Sequence, residues 1–134
     1  VSLFVDTSVW SLTLRRDAPS GSAEVDALVR ALGSGETVLT TGLVLQELLQ
    51  GFGQPKSRDR IIERFSALPL IAPDREDHIE AASLRNQCRR AGVQIETIDA
   101  LLAQLCLRHD LIMLTADRDF GAIAKHSALR LWKA

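Results

Sequence analysis

Apolar residues recur along this chain in two rhythms. Short runs at Leu3 to Asp6, Thr37 to Thr40, Leu70 to Ala72, Leu111 to Thr115 and Leu129 to Trp132 carry no helical period and predict β-strands. Longer stretches between them place apolar residues every three or four positions, as amphipathic helices do. Strands alternating with helices predict an α/β domain built on a mainly parallel sheet.

The first helix is expected to begin near Thr7 or Ser8. A second runs from about Ser22 to Leu32, with Ala23, Val25, Leu28, Val29 and Leu32 as its stripe, and Gly33-Ser34-Gly35 stops it. Thr41 suits the cap of a helix that carries Glu47 and ends at Gly51 to Gly53, and Pro55 or Ser57 opens another bearing Ile61, Ile62, Phe65 and Leu68. Pro69 and Pro73 bracket a very short strand. Asp74 to Ala91 reads as a long helix with Ile79, Ala81, Ala82, Leu84 and Cys88 inward and Gly92 as its end. Thr97 is expected to cap the helix from Ile98 to about His109. With no repeat, low-complexity tract or linker, residues 1–134 are expected to form a single domain.

A length of 134 residues suffices for one buried core. The hydrophobic fraction of 46% and charged fraction of 25% exclude a disordered or membrane-spanning class. No apolar run is long enough to cross a bilayer, and the first residues lack a basic segment followed by a signal-type apolar core, so a cytoplasmic location without a membrane partner is expected. Val1 reflects either trimming or an unusual start codon. Cys88 and Cys106 lie in apolar helical settings without metal-ligand spacing and read as buried structural thiols.

A net charge of −1 gives no sign of a nucleic-acid partner. Thirteen of the sixteen basic residues, however, are arginine, whose planar fork suits phosphate. They cluster as Arg15-Arg16, as Arg58, Arg60 and Arg64, and as Arg85, Arg89 and Arg90. Each cluster taken alone is equally a solvated helix face.

Four carboxylates sit in apolar company. Asp6 ends Leu3-Phe4-Val5, Glu47 interrupts the helix from Leu43 to Leu49, Asp99 opens the helix Ile98 to Ala103, and Asp117 follows Leu111 to Thr115. Desolvating them is costly unless something positive compensates. Asp6 and Asp117 both follow strands, so they belong to the carboxyl edge of a parallel sheet, where such folds bind ligands. Asp99 shares a helix face with Leu102, Ala103 and Cys106, and Glu47 shares a row with Leu43 and Gly51. Each also has a plain structural role open to it: Asp6 as a helix cap, Asp117 with Asp119 as turn formers, Asp99 complementing a helix dipole, Glu47 reaching to water. If the four segments meet, the compensating partner is a hard dication. Oxygen-only ligands select Mg²⁺ or Mn²⁺, and His78, His109 and His126 are scattered. Asp6, Asp99 and Asp117 are then expected to be direct or water-bridged ligands, with Glu47 holding a second ion or orienting the attacking water in phosphodiester hydrolysis.

Val5-Asp6-Thr7-Ser8-Val9-Trp10, Val44-Leu45-Gln46-Glu47-Leu48-Leu49-Gln50-Gly51, Ile98-Asp99-Ala100-Leu101-Leu102-Ala103 and Leu114-Thr115-Ala116-Asp117-Arg118-Asp119-Phe120 together resemble the PIN-domain family, and within it the VapC-type toxin ribonucleases of bacterial toxin–antitoxin operons. The resemblance spans essentially the whole chain. It implies a three-layer α/β/α sandwich around a mainly parallel sheet of about five strands. It further implies that Asp6, Glu47, Asp99 and Asp117 form the family's acidic quartet, that Asp119 occupies a second acidic position, and that Thr7 and Thr115 are supporting hydroxyls. RNA as substrate, a VapB-type antitoxin inserting a segment near the acids, a homodimer and a larger assembly with the antitoxin follow from the same resemblance. Arg15, Arg16, Arg85, Arg89 and Arg90 are expected to contact phosphate. Helix surfaces around Val44, Leu48 and Phe52, or along Ile61, Ile62 and Phe65, serve either partner contact or the core.

A receiver-type phospho-switch also gathers acids at this edge but needs a lysine beyond a late strand, which Lys56, Lys125 and Lys133 do not supply. No Gly-rich Lys-Ser/Thr signature supports a P-loop, and Gly33-Ser34-Gly35 is too short for a dinucleotide fingerprint. A protein-binding module with an inert acidic pocket remains the other alternative.

Overall fold

A computed structural model describes residues 2–15 and 22–134. In chain order these form β1 (Leu3–Val5), α1 (Thr7–Leu14), α2 (Ala23–Ser34), β2 (Val38–Leu39), α3 (Gly42–Gly51), α4 (Pro55–Ser66), α5 (Arg75–Arg90), α6 (Thr97–Arg108), β3 (Ile112–Leu114), α7 (Asp119–Lys125) and β4 (Arg130–Leu131). The four strands pair in parallel in the order β2-β1-β3-β4. β1 occupies the middle, with Leu3, Phe4 and Val5 aligned with Ile112, Met113 and Leu114. All three β1 residues are buried, which is how a strand covered on both faces must read.

That strand order contains a reversal. The chain moves from β1 outward to β2 and, through α3 and α4, to a parallel bridge between Thr40 and Leu70, then returns through α5 and α6 across β1 to place β3 on its other side and β4 beyond. Right-handed crossovers put connections running in opposite directions on opposite faces. Helix contacts divide accordingly: α1 packs on α2 and α3, and α3 on α4, whereas α5 packs on α6, and α6 on α7 and β3. The result is the expected three-layer arrangement, with the reversal of strand order at β1 and β3, the point beyond which such sheets bind ligands.

The expected strand Leu70 to Ala72 is reduced to an isolated bridge between Leu70 and Thr40, so the sheet has four strands rather than five. Pro69 and Pro73 explain this, since proline cannot donate to a ladder. Only the Pro69 carbonyl and the Ile71 N–H reach Thr40.

Local signals set most helix ends. Ser22 and Thr41 cap α2 and α3 by accepting from Val25 and Leu43, and Gly35, at φ 76°, takes the left-handed conformation that ends α2. Thr97 is the first residue of α6 rather than its cap; Glu96 holds the cap position without a side-chain bond. α6 buries Ala100, Leu101, Leu102, Ala103, Leu105 and Cys106, making it the most enclosed helix of its layer. Each fully buried leucine contributes roughly 1.5–3 kcal/mol.

α5 departs from its expected inner face. Ile79 and Ala82 are exposed, and the buried stripe is Asp77, Ala81, Leu84 and Cys88. Asp77 has no solvent exposure; it closes a capping box with Asp74 and receives Arg108 Nε at 2.7 Å on one oxygen and Arg108 Nη2 at 2.7 Å on the other. A bidentate guanidinium thus makes a buried aspartate tolerable in a stripe that otherwise keeps the expected Ala81, Leu84 and Cys88.

Val44, Leu48, Ile61 and Phe65 are core residues, and Trp10 stacks against Phe65 with ring centroids 4.9 Å apart. Of the two surfaces considered for partner contact, Ile62 alone is exposed and Phe52 is half-buried, because α3 and α4 turn their apolar stripes toward each other and toward α1. Cys88 and Cys106 are buried free thiols, as expected. Among the described residues no helix is long and apolar enough to cross a membrane.

Candidate functional site

β1 ends in Asp6 because Asp6 is also the N-cap of α1, and its backbone N–H still bonds to the Leu114 carbonyl of β3. Capping α1 therefore does not take Asp6 away from the carboxyl edge of the sheet. Asp6 is only 4% exposed, and both its oxygens are engaged. Oδ1 accepts from Ser8 Oγ at 2.6 Å and from the Val9 N–H at 3.4 Å, while Oδ2 accepts from Thr115 Oγ1 at 2.7 Å. Burial raises the Asp6 pKa; these donors oppose the rise and the charge of Asp117 adds to it.

Thr115 links that carboxylate to the segment after β3. Its hydroxyl accepts from the Asp117 N–H at 2.9 Å, and Asp117 Oδ1 in turn accepts from the Asp119 N–H at 2.9 Å. This side-chain turn swings Asp119 into the first residue of α7 and keeps the two carboxylates together. Asp99, in the first turn of α6, faces them: one oxygen each of Asp99, Asp117 and Asp119 lies within 4.8 Å of the others.

Burial, followed by the charges of Asp117, Asp119, Glu96 and Glu47, pushes Asp99 up to about 6. Glu47 therefore belongs to the same electrostatic neighbourhood. It is exposed on α3, beside open space at Gly51, and its Oε1 accepts from Thr7 Oγ1 at 2.8 Å. Asp6 and Glu47 stand outside the tight trio, Asp6 held by Ser8 and Thr115 and Glu47 by Thr7, and burial, with the charge of Asp6 adding to it, raises the Cys106 thiol.

The donor set suits a hard dication. Three carboxylates converge and repel one another, no histidine joins them, and the nearby thiol is held in its protonated form. Asp99, Asp117 and Asp119, with Asp6, are the residues that could hold Mg²⁺ or Mn²⁺.

The arginines are less gathered. Arg85 is half-buried and donates through Nε to the Ile95 carbonyl, just before α6, and Arg89 bonds Asn86. Arg90 and Arg15 are exposed at the ends of α5 and α1. Arg16 lies outside the described residues. Sequence reasoning did not single out Ser8 or Glu96. Glu96 precedes Asp99 by one helical turn, a legible acidic pair; Ser8 offered only its hydroxyl beside Thr7.

A PIN domain family model matches residues 3–126. Curated relatives include a VapC ribonuclease of Mycobacterium bovis and ribonuclease VapC11 of Mycobacterium tuberculosis, each 27% identical over 130 residues and spanning 96% of both chains. Among solved structures, VapBC-1 from nontypeable Haemophilus influenzae superposes with a TM-score of 0.76 at 17% identity, covering 99% of this chain and 98% of that one. VapBC2 from Rickettsia felis, bound to a DNA fragment from its promoter, gives 0.74 at 17% identity, covering 99% and 100%. With a family match that runs from β1 through α7, this chain belongs to the PIN domain family.

Proposed function

We propose that the protein is a divalent-metal-dependent endoribonuclease and the toxin of a toxin–antitoxin pair. The observation that carries this is the convergence of Asp99, Asp117 and Asp119 beyond β1 and β3 in a PIN-family chain. Support for RNA as substrate comes from the relatives that are named ribonucleases.

Bound Mg²⁺ or Mn²⁺ would supply Lewis acidity toward a phosphodiester and lower the pKa of a coordinated water. The chain's own residues do the rest. Asp6, Asp99, Asp117 and Asp119 hold the ion. Glu47, anchored through Oε1 by Thr7, keeps Oε2 free to orient the attacking water and accept its proton. Thr115 fixes Asp6 and Asp117 relative to each other. Arg15, Arg16, Arg89 and Arg90, with the terminal nitrogens of Arg85, contact the RNA backbone.

A VapB-type antitoxin is the proposed partner, supported by the VapBC complexes among the structural neighbours, with a homodimer as the core of a larger assembly in the cytoplasm. The test is incubation of purified protein with total cellular RNA and Mn²⁺, followed by mapping of new ends. New ends are expected with wild type and not with Asp6→Ala or in chelator. Identical ends from Asp6→Ala, or none from wild type, would defeat the proposal.

A further inference from the structure

We propose that Ser8 is a positioning residue, a single hydroxyl that registers Asp6 at the end of β1 against the Ala116–Asp117 turn after β3. Ser8 Oγ donates to Asp6 Oδ1 at 2.6 Å and accepts from the Ala116 N–H at 2.9 Å, across 108 residues of chain. Thr115 does the same in mirror fashion: its hydroxyl donates to Asp6 Oδ2 at 2.7 Å and accepts from the Asp117 N–H at 2.9 Å. The two hydroxyl oxygens are themselves 3.4 Å apart.

A hydroxyl has one proton. Because each of these oxygens already accepts a backbone N–H, that proton is directed to the carboxylate, and the two donors together fix which oxygens of Asp6 are turned where. Without Ser8, Thr115 would hold Oδ2 and only the long 3.4 Å bond from the Val9 N–H would hold Oδ1. Ser8 adds the short bond that tightens the carboxylate against rotation about its bond to Cβ. It also bonds a different amide of the turn, so the segment bearing Asp117 is held at two successive residues. Groups that orient ligands in this way typically govern metal affinity by 10- to 100-fold when lost.

The affinity arm of the test rests on the metal-dependent function proposed above; the exchange arm does not. Mn²⁺ is titrated into the full chain, and hydrogen exchange at Ala116 is followed in metal-free protein. Wild type is compared with Ser8→Ala, Ser8→Thr and Thr13→Ala, the last removing a hydroxyl of the same helix that bonds only the Val9 carbonyl. Ser8→Ala is expected to weaken Mn²⁺ binding about 10- to 100-fold, speed exchange at Ala116, and lower kcat on RNA at fixed Mn²⁺ with little change in KM. Ser8→Thr is expected to restore all three, and Thr13→Ala to change none. Ser8→Ala protein with wild-type Mn²⁺ affinity, or with unaltered exchange at Ala116, would overturn the proposal. A wild-type chain that binds Mn²⁺ without cutting RNA defeats the nuclease function, and Ser8 is still decided by affinity and exchange. A wild-type chain that binds no Mn²⁺ defeats the metal centre, and exchange at Ala116 with its rescue by Ser8→Thr then decides Ser8.

Discussion

Asp99 stands where stability and function pull apart. Its carboxyl holds a proton up to about 6 in the folded chain, against 3.8 ordinarily, because burial and four neighbouring acids disfavour the charge. Between those values the folded state binds more protons than the unfolded one, so the stability of metal-free protein falls as pH rises through this window and levels off above it. Asp99→Asn is expected to flatten that fall and to stabilise the metal-free protein at pH 7.5 by about 1–2 kcal/mol, discounted for partial exposure. The same substitution is expected to abolish Mn²⁺-dependent RNA cleavage. Thermal melts across pH 4 to 8, paired with a cleavage assay, check both halves. A variant less stable than wild type at neutral pH would show that like-charge repulsion is not what strains the site.

At the scale of elements, the joint between α5 and α6 adds a charge pair to the apolar stripe of Ala81, Leu84 and Cys88. Asp77 is fully buried under Arg108, and burial, which would raise its pKa, is outweighed by the Asp74 N–H, Arg108 and Gln104, leaving it below the usual range. A lowered carboxyl contributes stability above its unfolded pKa and loses it as pH falls through the folded one, so this contribution disappears only at strongly acid pH. Asp77→Ala is expected to cost about 2–4 kcal/mol, since it strands a guanidinium that is itself partly exposed. Denaturant unfolding at pH 7 measures the loss. Thr41→Ala, which removes the cap of α3, is expected to cost about 1 kcal/mol by the same assay.

Caps and glycine stops were legible because they act over three or four residues: Ser22, Thr41, Gly35 and the start of α4 at Pro55 needed no knowledge of the fold. The inner face of α5 was not. Its period runs Asp77, Ala81, Leu84, Cys88, and a buried aspartate becomes tolerable only with Arg108, 31 residues away. Ser8 was hidden for the same reason, its second partner lying 108 residues downstream. The acids stood out because each broke an apolar run, yet their grouping into a trio with Asp6 and Glu47 set apart is a matter of distances that spacing does not encode.

For the molecule as a whole, the proposed ion binding at the acidic edge would act as a folding interaction. Mn²⁺ at a hundred times its Kd is expected to add about 2.7 kcal/mol, a rise in Tm of roughly 10 °C for a chain of this size. Differential scanning fluorimetry in Mn²⁺ against chelator reads it directly. The rise should vanish in Asp117→Asn, and an unchanged Tm in wild type would count against an assembled centre.

The pairing of β1 with β3 also has a consequence in time. Asp6 and Glu47 emerge from the ribosome well before β3, the strand that completes the middle of the sheet, and Asp117 and Asp119 follow that strand. A nascent or prematurely released product therefore carries most of the acids and none of the assembled centre. Assembly of the acidic edge therefore waits on synthesis of β3 and the turn that follows it.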